Sequence, residues 1–382
     1  MPFDARHDPV RGTLGDAGSG ERGAVAAWLF AVAGMIWLMV AIGGATRLTG
    51  SGLSIMEWAP LSGTLPPLSE AEWQRLYDLY RTIPQYALVN QGFGLEGFKR
   101  IFWLEWFHRL WGRLIGLAYL LPLLWFWARG RIPAGYGPRL FGLLLLGGLQ
   151  GVVGWFMVAS GFEAERTAVS PYRLVIHLGL ALVLYAAVLW TALSLLPARA
   201  GVPAAPSGVR RMAQAATALL VLTMLAGGFV AGLRAGFDYN TFPLMDGRLV
   251  PAGYAALSPG WLNLTENIAA VQFNHRLLAT LALLAALGVA VAGWQRLPAG
   301  GARQACLALG AATVLQYGIG VGTLLLVVPV WLGTLHQAVA VLVLTTALLA
   351  LHRLGRGAAA GGHVPDGAGA GDTPPMAPRR PS

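Results

Sequence analysis

The sequence predicts an all-α integral membrane protein whose eight transmembrane helices form two pseudo-symmetric four-helix bundles. Three observations carry that prediction. Hydrophobic residues make up 56% of the chain and charged residues 12%, half of the roughly 25% charged fraction usual in soluble domains. Eight apolar runs come close to the ~20 residues that cross a hydrocarbon core, at about 25–45, 103–127, 140–160, 172–196, 212–233, 267–294, 305–328 and 331–352. The third observation is an internal repeat. Glu105-Trp-Phe-His108-Arg109-Leu in the second run returns as Gln272-Phe-Asn-His275-Arg276-Leu in the sixth. Runs three and seven each carry a Leu-Gln pair, at Gln150 and Gln316, which follow these histidines by 42 and 41 residues. Runs one and five end in Gly43-Gly44 with Arg47 and in Gly227-Gly228 with Arg234.

In chain order, residues 1–24 read as a polar, disordered segment before an uncleaved first span. The first bundle covers 25–196 and contains a long outer loop, 46–102. Within that loop Ser69 and Glu72 have the spacing of a capping box. Trp73, Leu76, Tyr77 and Tyr80 then fall on one helical face, able to lie on the membrane or to lid the first bundle. Glu57 reads as a solvated or capping residue. A linker at 197–211, with prolines 197, 203 and 206, separates the second bundle, 212–352, and the tail 353–382 has the Gly, Ala and Pro composition of disorder. The one cysteine, Cys306, excludes an intramolecular disulfide and a thiolate metal cluster.

The net charge of +10 does not mark a nucleic-acid binder, because its placement is topological. If the N-terminus is cytoplasmic, 15 of the 27 basic residues fall on the inner side, and ten of the 17 acids fall in outer loops. The positive-inside rule then places both termini in the cytoplasm. A bacterial inner membrane follows, with spans two, four, six and eight each presenting a histidine toward the periplasm.

Those histidines are His108, His177, His275 and His336. Polar side chains at such depth are costly and usually functional. Four imidazoles on alternate, hence parallel, spans form two facing pairs, as two bis-histidine haem irons require. Interhelical hydrogen bonds, a proton relay and bare metal-ion binding are the competing readings. The halves differ at one ionisable position. Glu105 shares a helix face with His108, whereas Gln272 stands in that place beside His275. Glu105 is therefore the candidate catalytic residue, with pairing to Arg109 at i+4 as the structural alternative. Arg47, Arg109, Arg234 and Arg276 have the chemistry to bind haem propionates, or lipid head groups.

At these residues the chain resembles the haem A synthase family over nearly all of 25–352. The resemblance rests on Gly43-Gly44-Ala-Thr-Arg47-Leu-Thr-Gly50-Ser-Gly52-Leu-Ser, on Glu105-Trp-Phe-His108-Arg109, and on the other three histidines in order. Met56-Glu-Trp-Ala-Pro60 and Pro66-Pro67 point to its proteobacterial and mitochondrial members. The cysteine pair that some members carry in the first outer loop is missing here, so a thiol role does not carry over.

The resemblance implies oxidation of the C8 methyl of haem O to the formyl of haem A for terminal oxidase assembly. His108 and His177 would hold the substrate haem, and His275 and His336 a haem b cofactor, with Glu105 as the essential glutamate. Implied partners are membrane lipid, haem O synthase and cytochrome oxidase assembly factors. The electron acceptor is not named by the sequence, and a homo-oligomer stays open. So do two chemical routes, oxygen activation at an iron that sheds one ligand and stepwise electron removal with water addition. The main rival function is a two-haem cytochrome carrying electrons from quinol to an outer-face acceptor. A transporter is weaker, since the polar residues cluster on one side.

Overall fold

The computed structural model describes residues 10–59, 62–164, 166–197 and 205–360. Ten α-helices account for most of it, and among the described residues no β-strand forms. Eight are long and apolar enough to span a membrane: α1 (Val10–Leu48), α4 (Leu95–Ala128), α5 (Gly137–Ala159), α6 (Pro171–Leu195), α7 (Ser207–Gly232), α8 (Ile268–Arg296), α9 (Gly301–Leu325) and α10 (Val330–Ala360). Two shorter helices, α2 (Glu70–Tyr80) and α3 (Pro84–Leu88), lie in the first outer loop. The protein is a multi-pass membrane protein.

Helix starts follow local chemistry. Proline near the first helical position opens α3, α5 and α6, where a missing N–H costs nothing. Asn267 caps α8 by accepting from Ala270 N at 3.2 Å. Three sequence boundaries move. The helix of α1 begins at Val10, inside the segment expected to be disordered, and α10 continues to Ala360, into the expected tail. A span already formed extends by one hydrogen bond per residue without a new nucleation cost. Likewise α7 starts at Ser207, within the expected linker. The remainder of those expected ends, 1–9 and 361–382, lies outside the described residues.

The spans close into two rings. In the first half α1 touches α4, α4 touches α5, α5 touches α6, and α6 returns to α1. In the second, α7, α8, α9 and α10 close in the same order. The rings meet where α1 and α6 pack on α10 and where α6 packs on α7. Leu114, Leu117, Leu121 and Leu124 leave an exposed stripe on α4, which suits lipid rather than protein contact.

Packing differs between the rings. The first is filled with large side chains: Leu29, Leu140 and Val188 are fully buried, and Trp28 packs on Tyr119 and Phe126 while donating to Ala118 O at 2.8 Å. The second is built of small residues. Ala213, Ala216, Ala282 and Ala286 are buried, and a Cβ on Gly310 would stand 2.8 Å from that of Ala290. Lipid tails are as apolar as leucine, so close backbone approach through such residues is what binds helices here.

Candidate haem-binding and catalytic site

Each of the four histidine rings rests on a glycine of the preceding span. His108 lies against Gly43 of α1, His177 against Gly154 of α5, His275 against Gly227 of α7, and His336 against Gly320 of α9. In every case that glycine stands five residues before the last residue of its helix, at Leu48, Ala159, Gly232 and Leu325. The four rings therefore share one register, about 7.5 Å below those helix ends at 1.5 Å per residue. A Cβ on any of the glycines would come within 2.8–3.3 Å of a ring atom.

The second glycine of each repeated pair serves the other half. Gly44 faces Gln337 of α10, and a Cβ on Gly228 would stand 2.9 Å from Val175 of α6. One glycine thus seats its own half's histidine, and its neighbour lets the two rings approach. The repeat was visible in sequence, but its double purpose was not.

Glu105 is buried, 2% exposed, on α4 one turn before His108. Its carboxylate is fully occupied. Oε2 accepts from the Ser54 hydroxyl at 2.7 Å and from Ile55 N at 2.8 Å, and Oε1 accepts from Arg109 Nε at 3.1 Å and Nη2 at 2.6 Å. Arg109 goes on to donate to the carbonyls of Ile55 at 2.5 Å and Glu57 at 2.9 Å. The structural alternative, an i,i+4 pair with Arg109, is thus realised, in a form that also grips the outer loop. Ser54 was not singled out in the sequence, although it closes the quoted Gly-Ser-Gly-Leu-Ser motif.

The second half repeats the device with opposite polarity. Gln272 donates its amide to the carbonyls of Ala235 at 2.7 Å and Asp238 at 2.5 Å, and accepts from Arg276 at 2.7 Å. Arg276 donates to Tyr239 O at 2.5 Å and Thr241 O at 2.8 Å. Of the other arginines expected near propionates, Arg47 donates to Ala231 O and Gly232 O at the end of α7, both at 3.1 Å. Arg234 lies over the Phe237 ring at 5.6 Å. The Nε atoms of Arg47 and Arg276 are buried without a partner.

The donor set suits an iron that brings its own equatorial ligands. Among the described residues, no three of His, Cys, Asp and Glu come together to hold a bare ion. Paired imidazoles suit axial ligation of a porphyrin iron instead. Buried amide oxygens of Gln150 and Gln316 also lack partners beside His177 and His336. A half-turn of either amide would bring that oxygen to the ring as acceptor for an Nδ1–H, in exchange for its bond to the backbone carbonyl.

Over this site sits the first outer loop. Trp73, Tyr77 and Tyr80 of α2 pack on Phe98, Ile101 and Phe102 of α4, with Leu53 in the same cluster. The apolar face of α2 is therefore turned onto α4. Ser69 accepts from Glu72 N at 3.2 Å, but the Glu72 carboxylate turns to Arg75, so only half of the capping box forms. Arg75 also grips Glu57 with bonds of 2.8 and 2.9 Å. Hydrogen bonds from Arg75 hold both carboxyls below the usual range.

A profile of the cytochrome oxidase assembly protein family matches residues 26–348. The chain is 60% identical to a haem A synthase of Granulibacter bethesdensis over 334 residues, 87% of this chain and 88% of that one. It is 53% identical to a haem A synthase of Rhodospirillum centenum over 87% and 88% of the two chains. A third, from Methylorubrum populi, is 48% identical over 85% and 86%.

Proposed function

The chain belongs to the haem A synthase family of cytochrome oxidase assembly proteins, and we propose that its two halves divide the work of that family. The activity is oxidation of haem O to haem A by a membrane oxidoreductase. In the proposed division, His108 and His177 hold the substrate haem in the first half. His275 and His336 hold a haem b cofactor in the second. Haem iron, when bound, supplies the redox chemistry that side chains alone lack.

The observation that carries this reading is the common seat of the four rings, two pairs at one register. It is supported by the one buried carboxylate among the described residues, Glu105, lying a turn from His108. Ser54, Ile55 N–H and Arg109 fix that carboxylate in direction. A fixed negative charge there stabilises positive charge developing at a substrate carbon, or accepts a proton released from it. Gln272 offers neither, which suits a site whose haem is unchanged by turnover. Among the described residues, the buried Nε atoms of Arg47 and Arg276 are donors without a partner, open to propionate oxygens.

We place both termini in the cytoplasm of a bacterial inner membrane, with the histidines toward the periplasm, from the basic inner loops. Reporter fusions at Arg139 and Pro298 should signal cytoplasm and a fusion at Ser69 periplasm; a cytoplasmic Ser69 would reverse the assignment. The decisive experiment is pigment analysis of purified protein made alongside a source of haem O. Haem A together with retained haem b is expected. Two haems that stay unmodified would favour a two-haem electron carrier.

A further inference from the structure

One turn before each ring-bearing glycine stands a residue that tethers the ring, in three cases of four. Gln150 precedes Gly154, and its amide nitrogen lies 3.2 Å from His177 Nδ1 and donates to His177 O at 3.1 Å. Gln316 precedes Gly320 and repeats this at His336, with 3.1 Å to Nδ1 and 2.9 Å to the carbonyl. Thr223 precedes Gly227, and its carbonyl accepts from His275 Nδ1 at 3.1 Å. The fourth position is Met39, before Gly43. Its methyl packs 3.4 Å from the Cβ position of Gly112, one turn beyond His108.

Among the described residues no hydrogen bond reaches the His108 ring. The ring is also turned differently. Its nearest atom to the glycine is Nε2, 3.3 Å from the Cβ position of Gly43, where the other three present Cε1 at 2.8–3.0 Å.

We propose that His108 is the axial ligand that releases and re-forms as the first-half haem is exchanged, and that Met39 keeps its ring untethered. This rests on the haem assignment above. A ligating histidine normally has its second nitrogen held by a neighbour, and such a partner is typically worth ~10- to 100-fold in metal affinity. Haem b has no reason to leave, and both its ligands are tethered. A substrate that becomes product has to leave, and there one tether is missing. His177, held by Gln150, keeps the haem oriented while the opposite face opens.

The test uses purified full-length protein carrying haem O and haem b, mixed with excess apomyoglobin. Haem loss is followed by chromatography of the extracted haems. Wild type should lose haem O faster than haem b. Met39→Gln supplies the missing amide and should slow haem O loss by ~10- to 100-fold. Gln316→Met should accelerate haem b loss by a similar factor. Equal loss of both haems from wild type, or an unchanged haem O rate in a Met39→Gln protein that keeps haem b, overturns the proposal. If Met39→Gln fails to fold, Gln316→Met decides: an unchanged haem b rate rejects the tether. A protein that binds no haem would instead reject the haem assignment itself.

Discussion

From α4, Glu105 and Arg109 reach the loop around Ser54–Glu57; from α8, Gln272 and Arg276 reach the loop around Ala235–Thr241. Both latches pair i with i+4, and both arginines end on two loop carbonyls. The loops, however, present opposite groups. The first offers a hydroxyl and an N–H, which call for an acceptor; the second offers two carbonyls, which call for a donor. Carboxylate and amide are nearly isosteric, so polarity matching alone accounts for which half carries which. Latch and catalyst are therefore separable roles at Glu105, and substitutions in the two latches separate them.

The largest effect tests the division of the halves. His275→Ala or His336→Ala should remove essentially all haem b from purified protein, and His108→Ala or His177→Ala should leave it in place. Equal loss from all four variants would end the division.

Next is Glu105→Gln, expected to lower haem A formation by about 10²–10³ with haem b content intact. The amide cannot accept from Ile55 N–H and Arg109 as fully as the carboxylate does, an added stability cost of about 1–3 kcal/mol. The mirror change, Gln272→Glu, sets a negative charge against two carbonyls and should lower thermal stability by at least that much. A stability loss in Gln272→Glu without comparable loss in Glu105→Gln would mean the first latch is not bound through its carboxylate.

A smaller effect sharpens the point. Ser54→Ala deletes one 2.7 Å bond to Glu105 but keeps the charge, so haem A formation should fall less than about tenfold at a net cost near 1 kcal/mol. Should Ser54→Ala match Glu105→Gln in activity, the glutamate is a latch and no more.

The smallest concerns pH in the first outer loop. Arg75 lowers the pKa of Glu57 and Glu72, so their stabilising pairing is fully present above the ordinary glutamate value near 4.3. It is lost as pH falls through the lowered values. These side chains are about half exposed, which keeps the effect small. Hydrogen exchange in α2 should be flat from pH 7 to about 5 after correction for intrinsic rates and rise below about 4. Arg75→Met should remove that transition.

Much of this was legible in sequence because it is periodic. Eight spans follow from apolar runs, and the four histidines and Gly-Gly pairs from the repeat. Even the Glu105–Arg109 pair follows from helical spacing. What escaped was contact between segments. Ser54 is 51 residues from Glu105, and no local pattern states which loop turn returns to which helix. The contact of Arg47 escaped for the same reason: its charge is local, whereas the α7 carbonyls it meets are 184 and 185 residues away.

That last contact has a direction in time. The final carbonyls of a helix have no partner within it, and at the end of α7 Arg47 supplies one, from the first half to the second. Among the described residues the counterpart Arg234 returns nothing of the kind: it takes up a left-handed backbone conformation, φ 57°, and stays with its neighbour Phe237. The half synthesised first therefore carries the cap, and the half synthesised second arrives at a partner already in the membrane. Exchanging the order of the halves in a permuted gene would keep every contact of the finished protein. It would also leave the end of α7 waiting in the bilayer for an arginine not yet made.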